Sequence, residues 1–511
     1  MGNNSPAPPK ATLREWIGLA VLALGAILYV MDLTVLHLAV PTLSAELKPT
    51  STQLLWIIDI YGFMVAGFLV TMGTLGDRIG RRKLLMIGSA AFGLFSLLAA
   101  FSKTPEMLIA SRALLGLAGA TLGPSTLSLI FSMFKDPGER SKAIGVWISA
   151  FSAGSAIGPI LGGALLEYFW WGSVFLLAVP VMVLLLVLSP IVLPEYKDPQ
   201  AGRLDLLSVI MSLVAVLSII FGLKQIAQDG FSPLPIFSII IGLVVGFFWT
   251  RRQLALKNPM IDVRLFKIHA FSASLTVNFL AVFVAIGYFL FVAQYLQLVL
   301  GLSPLHAGFW SLPSAIAFIV GSNLAPRIVR FFKPYQIIGA CLSLAAVGLL
   351  VLTQVGGDNG LNIVVIASVI ISLGLAPVFG LTTELIVGSA PSEKAGAASG
   401  ISETASELGG ALGIALLGSI GIAIYRSKIA HALPPEIHKD LVEVARDTLG
   451  AAVGVASSLP PILSGVLLEV AHNAFVQGMQ VAAAIAAVVA IFSAILSFKL
   501  LKKVKVGQSH P

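Results

Sequence analysis

Apolar residues along this chain fall into fourteen long runs, at roughly 14–44, 52–76, 84–102, 106–131, 142–166, 172–193, 206–223, 235–250, 271–299, 305–326, 335–354, 362–389, 398–425 and 474–498, and a helix of about 20 such residues crosses a hydrocarbon core about 30 Å thick. The strands of a membrane barrel would instead alternate apolar and polar residues. The pattern therefore predicts an all-α integral membrane protein with fourteen transmembrane helices. Their spacing suggests a tail over 1–13, a six-helix bundle over 14–193 and a linker with two additional central helices over 194–270. A second six-helix bundle over 271–500 and a tail over 501–511 follow. The loop 426–473 is much longer than the others on its side. Prolines 434–435 and 460–461 bracket Ile437, Leu441, Val444, Ala445 and Leu449 at helical spacing, and a second such segment follows Pro461. The reading is an external helical hairpin.

Composition agrees with this picture. Of 511 residues, 57% are hydrophobic and 11% charged, whereas a soluble domain carries about 25% charged residues. The chain lacks the material to coat water-facing domains. The first run is no cleavable signal, being too long and carrying Asp32. Cys341 is the single cysteine, so no disulfide forms within the chain. With both termini placed in the cytoplasm, 24 of the 32 Lys and Arg residues fall on that side, 7 fall outside and Arg112 lies within the membrane. This follows the positive-inside rule. The net charge of +8 then describes a basic rim facing anionic lipid, with no nucleic-acid partner implied.

Charged side chains at membrane depth are costly and persist mainly for function. The candidates are Asp32, Asp59, Arg112, Glu384, Glu403 and Glu407. Asp59 has Trp56 three residues before it, on the same helix face, and Tyr61 close in sequence. An acid beside aromatic rings suits a hydrophobic cation through ion pairing and cation–π attraction. The alternative is a structural hydrogen bond to a neighbouring helix. Glu403 and Glu407, four apart, share one helix face. Two carboxylates that close in low dielectric do not easily both ionise, which makes a site that exchanges a proton for a cation. Glu384 sits nearer the helix end, where hydration is the simpler reading. Arg112, read as the only intramembrane base, needs a partner, and Asp32 would serve.

Glycine patterns complete the list. In GTLGDRIGRRK, Gly73 and Gly76 permit close helix contact, Asp77 can cap a helix or pair with Arg78, Arg81 or Arg82, and Gly80 allows a sharp turn. In GSAIGPILGG, Gly154, Gly158 and Gly162 form a small-residue face beside Gly163, and Pro159 bends the helix. The series Gly73, Asp77, Arg78, Gly80, Arg81, Arg82 resembles the loop 2–3 motif of the major facilitator superfamily. Arg112 with Gly116 and Gly119 resembles its helix-4 motif, which the family links to proton coupling. The 154–163 segment resembles its antiporter motif, and Asp32 and Thr34 followed by Ala39 and Pro41 resemble the helix-1 motif of the fourteen-span drug:proton antiporters. WIIDIYGFMVAGF and SETASELG are similar to a group of bacterial multidrug exporters of quaternary ammonium antiseptics and dyes. The resemblance implies the major facilitator fold. It also implies Asp32 and Asp59 as the acids of helices 1 and 2, and Glu403 with Glu407 as a helix-13 pair for cations and protons. One departure is that Phe318 stands where a member of that group carries a helix-10 acid, which places divalent cargo in question. His37 stands where many relatives have Asn and reads as a packing residue.

The resulting expectation is a proton-coupled antiporter of the bacterial inner membrane that exports lipophilic cations by alternating access. Asp32, Arg112, Glu403 and Glu407 would couple protons. Asp59 and Glu407 would bind cargo, with Trp56, Tyr61, Trp147, Tyr288, Phe291, Tyr295 and Trp310 as candidate walls. The alternative is a narrow-range exporter of an endogenous metabolite on the same fold. A non-transporting sensor or scaffold would not need buried acids on separate helices. No nucleotide loop of the G-x-x-x-x-G-K-[ST] type is present, so ATP drive is not expected from this chain, and neither an enzyme, a cofactor nor a metal site is indicated. Lipid and protons are the expected partners, and a monomer suffices.

Overall fold

The computed structural model describes residues 10–49, 51–197, 205–229, 232–256, 259, 261, 263–357, 359–391, 394–432 and 437–503. The proline-rich start, linker residues 198–204, Pro434, Pro435 and the tail beyond 503 lie outside these. So do the side chains of Thr34, His37, Pro41 and Pro159.

The first bundle comprises α1 (Leu13–Leu47), α2 (Ser51–Ile79), α3 (Arg81–Ala100), α4 (Pro105–Gly119), α5 (Leu122–Met133), α6 (Pro137–Tyr168), α7 (Ser173–Leu176) and α8 (Ala178–Val192). The central pair is α9 (Leu206–Asp229) and α10 (Pro233–Ala255). The second bundle comprises α11 (His269–Gln294), α12 (Pro304–Ile328), α13 (Pro334–Leu352), α14 (Gly360–Gly388), α15 (Ala395–Gly413), α16 (Ser419–Ala432), α17 (Lys439–Asp447), α18 (Leu449–Ala456) and α19 (Pro461–Leu500). No strand occurs among the described residues. Fourteen segments are long and apolar enough to cross a membrane, α4–α5 counting as one and α15–α16 as another, which agrees with the fourteen apolar runs.

Helix starts follow from local chemistry. Thr104 precedes Pro105 and its side chain accepts from the Met107 amide, while Asp136 precedes Pro137 and accepts from the Glu139 amide. Proline tolerates the first turn, where its missing N–H costs nothing, and the cap satisfies an amide that hydrocarbon could not. Each bundle has its own apolar core. Outside, α10 exposes Leu234, Phe237, Leu243, Phe247 and Phe248, a surface suited to lipid. The small-residue face of α6 seats α1. A Cβ at Gly154 would lie 2.6 Å from the Ile27 carbonyl, and one at Gly162 would lie 2.6 Å from Val35.

The long loop corrects the hairpin expectation. Between α16 and α19 its described residues form α17 and α18, and Tyr425 ties back the first of them by donating its hydroxyl to the Ala445 carbonyl at 2.9 Å. The segment after Pro461 is no second arm but the start of α19, which runs 40 residues without a break. Ser464, Glu469, His472 and Asn473 interrupt its apolar character before residue 474, but no proline follows Pro461 within the helix to stop its propagation. The last span therefore begins thirteen residues before the expected position 474.

The two bundles meet toward the end that carries the basic loops. Near it, α6 meets α12: the Ser149 and Ser322 hydroxyls lie 2.7 Å apart, and the Asn323 amide donates to Ser149 at 2.7 Å. A Cβ at Gly145 would lie 2.8 Å from the Ser322 carbonyl. At the second crossing α2 meets α15, where a Cβ at Gly73 would overlap the Gly396 carbonyl and one at Gly400 would lie 2.9 Å from that of Leu69. Helix α9 is no peripheral addition. Ile220, Val216, Leu217 and Phe221 pack with Phe63 and Ala66 of α2 and Leu408 of α15.

Candidate functional site

Membrane-depth charges form three groups near the bundle junction. The first is built on α4. Arg112 is almost wholly buried and donates to Asp32 of α1 at 2.7 Å, to the Ile57 carbonyl at 3.0 Å and to the Ile58 carbonyl at 3.4 Å. Its guanidinium lies 5.0 Å from the Tyr61 ring centroid and 5.9 Å from that of Phe175. A buried guanidinium is tolerable only when its donors are met this fully. The Asp32 partnership expected from charge is present. Arg112 also grips α2 at the two residues before Asp59, so any change at Asp32 reaches the backbone that carries Asp59.

The second group contains a residue the sequence reading misplaced. Lys224 lies within the seventh candidate span, Leu206–Ile226, and donates to Asp59 at 2.6 Å. Arg112 is therefore not the only intramembrane base. The apolar run 206–223 ends one residue before Lys224, so the run alone counts this lysine among the seven basic residues outside. Its ammonium sits 4.7 Å from the Phe63 centroid, and Phe63 meets Trp56 at 6.2 Å. An acid and an aromatic face thus already hold a cation here.

The third group is the α15 pair. Glu403 reaches toward α5, where a Cβ at Gly123 would lie 3.8 Å from its side chain. Glu403 therefore faces the first bundle, and Glu407 lies one turn further along the same face of α15. Neither forms a hydrogen bond or salt bridge among the described residues.

Other expected residues lie elsewhere. Tyr61 is fully buried beneath Arg112, between Tyr29 and Phe92. Trp147 is buried and donates to Thr126 at 3.1 Å. Phe291 and Tyr295 are buried in the second core, and Tyr288 packs against it. Trp310 is 42% exposed. Of the aromatics proposed as walls, Trp56 alone adjoins the Asp59 group.

The glycine and arginine loop makes a latch. Asp77 of α2 accepts from the Gly396 and Ala397 amides of α15 at 3.1 and 2.9 Å and pairs with Arg81 at 3.0 Å. A carboxylate at a helix start satisfies free amides and complements the helix dipole. Arg81 donates on to the Ser128 carbonyl and covers the Tyr196 ring at 4.7 Å. Gly80 adopts φ +113°, a region open to glycine, and a Cβ there would press on Glu195 at 2.6 Å. Glu195 accepts from the Arg82 and Lys83 amides, both at 3.1 Å, and pairs with the Arg82 side chain at 3.7 Å. Arg78 is half-buried next to Asp77. Glu384 of α14 is half-buried.

Residues 22–414 match the family model of the Major Facilitator Superfamily. The chain is 41% identical over 490 residues to "Multidrug efflux pump LfrA" of Mycolicibacterium smegmatis, which covers 96% of this chain and 97% of that protein. It is 36% identical over 476 residues to "Methyl viologen resistance protein SmvA" of Salmonella typhimurium, covering 92% and 94%. Among solved structures, the human organic anion transporter MFSD10 aligns with a TM-score of 0.63 at 14% identity, over 95% of this chain and 100% of that one. That last likeness is one of fold.

Proposed function

The chain belongs to the Major Facilitator Superfamily, and from that membership we propose that this multi-pass transporter is a proton-driven exporter of lipophilic cations such as quaternary ammonium antiseptics and dyes. It works in a bacterial cytoplasmic membrane with both termini inside. The observation that carries the reading is the Asp59 station. There, α2 supplies a carboxylate and α2 aromatics line a place already occupied by an ammonium group, with the two α15 acids facing the same junction. The names of the relatives, an efflux pump and a resistance protein, support it.

The mechanism is alternating access by rocking of two bundles about a central site. A cation entering from the cytoplasm or inner leaflet pairs with Asp59 and Glu407 while Asp32, Glu403 and Glu407 give up the protons they carry. The bundles then close at the basic-loop end, where Asp77 caps α15 and the α2 and α6 glycines allow contact. With the site open to the outside, protons arriving at Asp32, Glu403 and Glu407 release the cargo. Arg112 joins the two events, because it holds Asp32 with one arm and the α2 backbone beside Asp59 with the others.

Everted membrane vesicles with an imposed proton gradient test this through ethidium accumulation. Wild-type protein should take up ethidium only with the gradient, and Asp59→Asn and Glu407→Gln should lose uptake at equal expression. Full uptake by both variants would remove the assigned site. No uptake by wild type would point to a narrow metabolite exporter.

A further inference from the structure

Lys224 presents a problem for a cation exporter, because it holds the carboxylate that cargo needs. Its pairing with Asp59 is short, at 2.6 Å, yet 28% of the lysine side chain and 24% of the aspartate side chain stay exposed. Ion pairs left this open to solvent add little to stability, so a purely structural staple explains the arrangement poorly. The surroundings have the chemistry of a ligand site. The ammonium lies against Phe63 at 4.7 Å, and Phe63 and Trp56 form one aromatic patch. A second carboxylate, Glu407, stands next in the chain to Leu408, which packs against the same stretch of α9. Lys224 also arrives on α9, one of the two helices outside the paired bundles, and α9 is wedged between α2 and α15.

We propose that Lys224 is a tethered cation that occupies the cargo place at Asp59 in the unloaded transporter, and that an organic cation binds by displacing it toward Glu407. The proposal rests on the export reading above and deepens it. The central pair of helices then contributes an internal competitor that sets affinity. A binder that competes with a tethered group has its apparent affinity reduced to the fraction of sites the tether leaves open, so a tether that fills about nine-tenths of them costs about tenfold. Lys224 also sets the charge the site accepts. With its ammonium present, Asp59 and Glu407 together have room for one further positive charge. Without it they have room for two.

Binding of tetraphenylphosphonium to the purified full-length protein in lipid nanodiscs tests this at fixed pH. Lys224→Gln should bind about tenfold tighter than wild type, Lys224→Arg should bind as wild type does, and Asp59→Asn should lose binding. A bis-quaternary ammonium probe should gain more from Lys224→Gln than tetraphenylphosphonium does. Unchanged or weaker binding by Lys224→Gln, with binding lost in Asp59→Asn, overturns the displacement proposal and leaves the site reading standing. Retained binding in Asp59→Asn overturns the site reading itself. A second measurement needs no variant: saturating tetraphenylphosphonium should raise the rate at which an amine-selective acylating reagent modifies Lys224 in wild type, read by mass spectrometry. An unchanged or lower rate overturns the proposal even if Lys224→Gln does not fold.

Discussion

Asp77→Asn isolates the electrostatic part of the latch between the bundles. The substitution keeps shape and volume but removes the charge that two α15 amides and Arg81 share. A hydrogen bond to a charged group contributes about 1.5–3 kcal/mol, and an anion at a helix start about 0.3–1 kcal/mol more. Asparagine keeps one acceptor oxygen but turns its NH2 toward a donor, so about one charged bond is lost. The net effect is about 2 kcal/mol. Arg81 keeps the Ser128 carbonyl and the Tyr196 ring, which limits collateral damage. In the proposed alternating-access cycle the contact breaks when this end opens, so the loss would fall on the closed state and should shift the equilibrium about thirtyfold toward opening. Cys341 is the only cysteine, so Cys341→Ser gives a clean background. Nitroxides at Lys135→Cys and Ala390→Cys would report the separation of the two bundles by pulsed electron resonance. Asp77→Asn should enlarge the long-distance population. An unchanged distance distribution in a well-folded variant would refute the latch argument.

Arg112→Met should cost about 3–5 kcal/mol by leaving Asp32 buried without its partner, seen as a lower melting temperature, and Asp32→Asn in the same chain should recover most of it. Gly73→Ala forces a Cβ into the Gly396 carbonyl, where neither backbone yields cheaply, so transport should fail at normal expression. Gly396→Ala, which presses on Asp77 and the Gly73 carbonyl, should reproduce that loss. Asp205, at the membrane edge, is held below the usual carboxylate range by the Ser208 hydroxyl and then by Arg252. Its contribution is therefore present above the unfolded value of about 3.9 and fades as pH falls through the folded one. The pair is partly open to solvent, with 34% of the arginine and 25% of the aspartate side chain exposed, so Asp205→Asn should cost under about 1 kcal/mol and flatten the acid dependence of thermal melts below about pH 4.

The legible parts were those in which one local cost dominates. Hydrocarbon admits long apolar helices and little else, so the spans could be read from runs alone. A buried guanidinium demands an acid, so Arg112 led to Asp32. Lys224 was harder because one ionised residue at the end of FGLK looks like the edge of a span. Only the neighbouring helix shows that its ammonium turns back toward Asp59. The role of Asp77 was legible as capping but its partner was not, since the amides it meets lie 319 and 320 residues away. Aromatic residues were the least legible. Tyr61 and Trp56 sit five residues apart, yet one is buried beneath Arg112 and the other is open, and nothing in their identity separates the two.

The length of α19 has a practical consequence. Forty residues span about 60 Å at 1.5 Å each, against about 40–45 Å for a whole bilayer with its headgroups. For a helix along the bilayer normal the surplus would stand beyond the lipid as a stiff post, with α18 packed beside it. Small membrane proteins without domains outside the lipid are hard to align as single particles, because the micelle hides them. This post breaks that anonymity. It offers a rigid epitope for an antibody fragment, an orientation mark for image alignment, and a tag site whose protease sensitivity in intact cells reports directly which way the chain is inserted.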